Sequence, residues 1–230
     1  IEGMNIRTGG RNFNETGERF AATYALRNND RPVVFDVGAQ GGEYTKNISD
    51  LTGGKARIYA FEPRLKDYLE LKEMLKDGAT LIHGALEETI GEGTLYYPEH
   101  TSGLSSLYKP DDGFNTSEPI MIETIDNFCG QNNIQKIDLL KLDTEGSELK
   151  CLRGAERMLK NIPYIQFEFC ISSRDSRTYF KDIFEFLSDY TLYRILQDGL
   201  YEIQSPDKIT ELLFTTNYFA ERKEPITQPL

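Results

Sequence analysis

The stretch Val33-Val34-Phe35-Asp36-Val37-Gly38-Ala39-Gln40-Gly41-Gly42 constrains this chain more than any other. An apolar run interrupted only by Asp36 reads as a buried parallel strand running into a glycine turn. Beyond the turn, Tyr44, Ile48 and Leu51 recur at helical spacing on one face. Strand, glycine turn and helix open a nucleotide-type α/β fold, where bare backbone and a helix N-terminus approach a ligand closely. A glycine turn alone can also be a plain tight connection, so other residues must carry the argument.

The turn is G-x-x-G-G, whereas a dinucleotide site carries G-x-G-x-x-G. That departure favours S-adenosylmethionine over a nicotinamide cofactor. At 230 residues the chain suits one decorated α/β domain. A net charge of -11 argues against nucleic acid and against anionic membranes, both of which demand a basic face. Cys129, Cys151 and Cys170 are odd in number and lack metal-ligand spacing, so neither a disulfide framework nor a zinc cage is expected. With no apolar run near the ~20 residues of a membrane span and no charged-then-apolar stretch at the start, the expectation is a cytosolic protein.

Organisation follows from periodicity and breakers. Residues 1–30 read as an arm and a helix, 31–220 as the cofactor-binding domain, and 221–230 as a frayed tail. The first helix is expected from Glu15 to Arg27, capped by Asn14, with Phe20, Tyr24 and Leu26 inward. Strands are expected at 57–63, 80–83, 137–143, 164–169 and 212–215, with helices at 64–76, 147–160 and 176–188 between them. The helix at 64–76 would turn Leu65, Leu69 and Leu75 inward. Leu192 to Ile203 resembles a hairpin turning at Asp198-Gly199. The serine- and glycine-rich segment from Thr101 to Asp112 is either a lid or a surface excursion.

Ligands of doubly wound sheets bind beyond the carboxyl ends of the strands. Glu62 ends the second strand and is placed to accept hydrogen bonds from two ribose hydroxyls; its bland alternative is a helix cap. Ala85 and Leu86, just after the third strand, would wall an adenine. His83 ends that strand and is a candidate base, although a lone histidine there is commonly structural. Asp143 and Glu145 end the fourth strand, where they serve either the reaction or the next helix's N-terminus. Glu168 would complete a carboxylate cluster able to take magnesium, but without a histidine-rich or D-x-D pattern no metal is expected.

The motifs F-D-V-G-A-Q-G-G-E-Y-T (35–45), Y-A-F-E-P (59–63), E-T-I-D-N-F (123–128) and I-D-L-L-K-L-D-T-E-G-S-E-L-K-C-L-R-G-A (137–155) resemble the FkbM family of class I S-adenosylmethionine-dependent methyltransferases. The last matches a D-x-x-K-x-D-x-E-G-x-E signature. The resemblance implies a Rossmann-like, mostly parallel sheet with an antiparallel edge strand and helices on both faces. It also implies methyl transfer to a hydroxyl oxygen of a small molecule, such as a sugar-containing metabolite or glycan. Asp36, Gly38 and Gly42 would then line the methionine end, with Gln40 and Tyr44 in the same cofactor-binding set. Glu62 would hold the ribose, Ala85 and Leu86 would lie by the adenine, and Asp143 would face the transfer chamber. Asp143, Glu145 and His83 are the catalytic candidates, Asp143 first. Two alternatives stay open: an NAD-dependent oxidoreductase, and a binding module without catalysis.

Overall fold

The apolar run after Pro32 lies at the centre of the molecule, with Val34, Phe35 and Val37 buried on alternating faces. The computed structural model describes residues 13–75, 78–100, 104–110 and 113–223. In chain order these form α1 (Glu18–Leu26), β1 (Val33–Val37), α2 (Glu43–Leu51), β2 (Arg57–Glu62), α3 (Leu65–Leu75), β3 (Thr80–His83), β4 (Ala85–Leu86), β5 (Gly91–Tyr97) and β6 (Thr116–Glu123). There follow α4 (Ile125–Gln131), β7 (Leu139–Leu142), α5 (Glu148–Arg153), β8 (Tyr164–Phe169), α6 (Ser172–Asp175), α7 (Phe180–Phe186), β9 (Tyr190–Leu196), β10 (Gly199–Ile203) and β11 (Thr216–Arg222).

The main sheet has the order β10-β9-β11-β8-β7-β1-β2-β3, and a small second sheet has the order β4-β6-β5. Strands β3, β2, β1, β7 and β8 are parallel, while β11 runs antiparallel between β8 and β9. From β1 the chain winds outward to β3, then returns to pair β7 on the other side of β1. That reversal makes the β1/β7 boundary the switch point, where ligands of such sheets bind. Register sets Val37 level with both Phe61 and Leu142, so the three strands end together.

Both faces of the sheet are covered, as the unbroken apolar run requires. Phe35 and Phe61 pack edge-on to Phe128 of α4, with centroids 5.7 and 4.9 Å apart. On the other face Val34, Ile58, Leu139 and Phe219 pack with Ile48 of α2 and Ala21, Ala22 and Ala25 of α1. No helix among the described residues is long and apolar enough to cross a membrane.

Several elements differ from expectation, each for a local reason. The first helix starts at Glu18 behind Gly17, which has φ 84°, and Asn14 instead accepts a hydrogen bond from Arg19. Its small alanines face the sheet, leaving Phe20 exposed. In α3, Leu71 is the buried leucine while Leu65 and Leu69 face solvent. The helix after the fourth strand ends at Arg153, because the Asp126 carboxylate captures the Arg157 and Met158 N–H groups. The expected helix at 176–188 is shortened to α7; the separate short α6 precedes it, Arg177 at φ 57° lies between the two, and Asp182 starts α7 by accepting the Tyr179 N–H. The last strand begins at Thr216, after the Leu212-Leu213-Phe214 run that sequence favoured; Leu212 and Phe214 are exposed, and the sheet takes Tyr218, Phe219 and Ala220 instead. The arm before Phe13, residues 101–103 and 111–112 of the serine-rich segment, and the tail beyond 223 lie outside the described residues.

Gly17 is a demanding position, since a Cβ there would meet the Leu196 carbonyl oxygen at 2.0 Å. Gly17→Ala is expected to cost about 1–3 kcal/mol through overpacking in a left-handed conformation. Denaturant titration reads it, and an unchanged midpoint would contradict this placement of α1.

Candidate active site

A cleft, part of it open to solvent, lies across the carboxyl ends of β1, β2 and β7. Its floor is the glycine turn. Gly38 has φ 85°, and a Cβ on it would fall 1.8 Å from the Asp143 carbonyl oxygen, so only glycine lets the two chains meet here. The Gly38 and Ala39 N–H groups both donate to the Phe61 carbonyl, at 2.9 and 3.0 Å. Gly42, at φ 73°, starts α2, and its missing side chain leaves room for Leu71 and Met74.

Glu62 stands at one end of the cleft. Its Oε2 accepts from the Gln40 N–H at 2.7 Å and its Oε1 from the Arg64 N–H at 2.8 Å. These bonds fix the carboxylate and leave each oxygen a second lone pair for a ligand hydroxyl. Burial pushes its pKa up to about 7, against the opposing pull of the two N–H donors. Beside it, Phe61, Pro63, Ala85, Leu86, Leu95 and Leu107 make an apolar wall. A carboxylate with spare acceptor sites next to such a wall fits a ribose and an aromatic base.

The other end is built by the loop after β7. Glu148 is buried and accepts from the Thr144 N–H and hydroxyl at 2.8 and 2.9 Å, and from the Gly146 N–H at 3.1 Å. That clamp holds Glu145 in the left-handed region, at φ 51°, over the cleft. The N-cap of α5 is Ser147, so Asp143 and Glu145 serve elsewhere. Asp143 Oδ2 accepts from Lys141 Nζ at 2.9 Å. Burial pulls the Lys141 ammonium down, but Asp143, Glu18 and Glu168 together hold it above its ordinary range. Glu145 Oε2 accepts from the Ser172 hydroxyl at 2.6 Å and the Cys170 thiol at 3.6 Å. Burial first, then the Asp143 charge, push Glu145 to about 7. Glu145, Glu168 and Cys170 bring donor atoms within 4.8 Å of one another. Burial pushes the Cys170 thiol far up.

Of the candidates from sequence, Gly38, Gln40, Glu62, Ala85, Leu86, Asp143 and Glu145 line one cleft. Asp36, Gly42, Tyr44 and His83 lie outside its lining. Asp36 is buried behind the turn, accepting from the Thr45 hydroxyl at 2.5 Å, and burial pushes it to about 6. The Tyr44 hydroxyl donates to Gln166, whose amide donates to Glu18 at 2.6 Å. His83 is on the edge strand, its ring 5.1 Å from that of Tyr68. In the serine-rich segment, Ser105 and Leu107 line the cleft, and the Ser106 hydroxyl donates to the Glu145 carbonyl at 2.7 Å.

Sequence reasoning missed Lys141, Glu18, Ser172 and Glu148 as parts of this site. Lys141 gave a signal, a lone lysine inside an apolar strand, and Glu148 closes the D-x-x-K-x-D-x-E-G-x-E signature that holds this lysine and bonds its own loop locally; Glu18 and Ser172 reach the site only through tertiary packing.

The family model for the methyltransferase FkbM domain matches residues 36–195. The 2-O-methyltransferase NoeI of Sinorhizobium fredii is 23% identical over 155 residues, spanning 60% of this chain and 63% of that protein. A solved FkbM methyltransferase from Methylobacillus flagellatus superposes with a TM-score of 0.53 at 22% identity, covering 83% of this chain and 44% of that one. The plantazolicin methyltransferase BpumL, solved in complex with SAH, gives 0.51 at 9% identity, covering 94% and 88%. These structural likenesses show the class I methyltransferase fold.

The raised carboxyl groups carry a stability prediction. Glu62 binds its proton more tightly folded than unfolded, so its contribution is full below the unfolded value near ~4.3 and is lost as pH rises through about 7. Thermal melts of the ligand-free protein should therefore fall across that window, and Glu62→Gln should flatten the fall. Identical slopes for both proteins would contradict the buried placement of Glu62.

Proposed function

The chain belongs to the FkbM methyltransferase family, and from that premise we propose that it transfers the methyl group of S-adenosylmethionine to a hydroxyl oxygen, on a sugar-containing small molecule or glycan. The observation that carries the reading is the cleft's division of labour. Glu62 and the apolar wall suit an adenosyl group at one end, while Asp143 and Glu145 stand at the other. The chain's match spans less than two thirds of NoeI, whose 2-O-methyltransferase activity supports an oxygen acceptor; the sugar or glycan class is what the family resemblance implies.

S-adenosylmethionine, when bound, supplies an electrophilic methyl: an O–CH3 bond forms as the S–CH3 bond breaks and its electron pair returns to sulfur. Glu62 holds the ribose hydroxyls through its free lone pairs. Asp143, charged and paired with Lys141, fixes the charge at the transfer end and orients the acceptor. Sequence favoured Asp143 as base, but its ion pair with a lysine that burial cannot neutralise shifts that role to Glu145. With its pKa near neutrality, Glu145 is matched to taking a hydroxyl proton, a contribution of about 10²–10⁴ in rate. Leu107 and Ser105 line the same cleft, where exclusion of water would strengthen the electrostatics of transfer.

The direct test is a panel of sugar-containing acceptors incubated with methyl-labelled S-adenosylmethionine and read by mass. A methyl ether on one of them supports the reading; cofactor binding without transfer to any member would favour the non-catalytic module. Glu62→Ala should weaken cofactor affinity by about 10- to 150-fold, the worth of roughly 1.5–3 kcal/mol of charged hydrogen bonding. Calorimetry showing wild-type affinity in a folded Glu62→Ala protein would remove the ribose assignment. Glu145→Gln should slow turnover by about 100-fold or more with cofactor affinity near wild type; equal turnover would place the base elsewhere.

A further inference from the structure

Glu168 takes no part in the reading above, yet it lies against the residue that reading uses as base. Register pairs Leu142 with Phe167, which brings Glu168 level with Asp143 at the strand ends. Its carboxylate comes within 4.8 Å of a Glu145 oxygen. The charged groups facing it are Lys141 and Asp143 from β7 and its end, Glu145 from the following loop, and Glu148 from α5. From β11 the partner in register is the neutral Asn217, and from α6 the Ser172 hydroxyl faces the same pair. Lys141 is the cation in this group, and its ammonium is committed to Asp143 at 2.9 Å. Two neighbouring carboxylates in a desolvated site, with the nearest cation engaged, cannot both ionise cheaply.

We propose that Glu168 holds a proton at neutral pH and so leaves Glu145 as the member of the pair free to accept the acceptor's proton. Glu168 is thus a positioning residue, acting on the reaction through Glu145. The asymmetry of the pair has a structural source. The Ser172 hydroxyl and the Cys170 thiol both donate to Glu145, favouring its ionised form. Burial, then the Asp143 charge, raise Glu168 well above the ordinary carboxylate range. A protonated Glu168 also keeps the transfer end from accumulating a third negative charge beside Asp143 and Glu145.

This inference rests on the proposed methyl-transfer reading for its functional meaning. Its test needs neither cofactor nor acceptor, so its failure is separable from failure of that reading. Protein labelled with 13C at the glutamate carboxyls is titrated by NMR, with Glu168 assigned from the signal lost in Glu168→Gln. Glu168→Asp provides the assignment if the glutamine variant does not fold. The Glu168 carboxyl should remain protonated through neutral pH, and its midpoint should fall by about one pH unit or more in Glu145→Gln. The Glu145 midpoint should persist in Glu168→Gln, since the amide resembles the protonated acid. A Glu168 midpoint in the ordinary range near ~4.3, or one unmoved by Glu145→Gln, would overturn the proposal.

Discussion

The site depends on one backbone contact, the approach of Gly38 to the Asp143 carbonyl. A Cβ at Gly38 would come within 1.8 Å of that oxygen, so no side chain of any kind fits between the ends of β1 and β7. Because the contact is that close, the glycine turn and the acidic loop share one cleft. The same turn projects the Gln40 N–H onto Glu62, so three strand ends are locked together before any ligand arrives. Preorganisation of this kind is what allows a site to hold reacting groups at a useful distance.

Charge is the second constraint. The chain carries a net charge of -11, and its acids converge on the cleft from several elements. Lys141, buried between Asp143 and the Glu18–Gln166 pair, offsets part of that charge. The charge that Lys141 leaves unpaired raises proton affinity: Asp36, Glu62, Glu145 and Glu168 all sit above their ordinary values, chiefly through burial. The helix α1 matters here because it delivers Glu18 to the Lys141 side of the sheet, which ties the N-terminal segment to the site electrostatically.

What the sequence disclosed and what it hid follow one pattern. Residues whose position is set by the strand they end, such as Glu62 and Asp143, were readable, because strand order fixes where a carboxyl end lies. The long 137–155 signature also resolves into separate tasks. Asp138 accepts the Val33 N–H at 2.8 Å, Lys141 pairs with Asp143, Glu145 faces the cleft, and Glu148 clamps the loop. Side chains that matter through tertiary neighbours stayed hidden, since nothing near Ser172 or Glu18 in sequence announces Glu145 or Lys141. Asp36 and Tyr44, inside the first motif, and His83, at a strand end, illustrate the converse, for none of them lines the cleft. The misplacement of the last strand has an energetic origin: Leu212-Leu213-Phe214 is the more apolar run, but the slot between β8 and β9 selects Tyr218 and Phe219 by shape and register.

The most direct measurement of the central claim is a crystal structure with S-adenosylhomocysteine bound. The account predicts the ribose hydroxyls on the two Glu62 oxygens, the base against Leu86 and Leu107, and the sulfur at the Asp143–Glu145 end. A nucleoside bound elsewhere, or one in this cleft with its ribose away from Glu62, would contradict it.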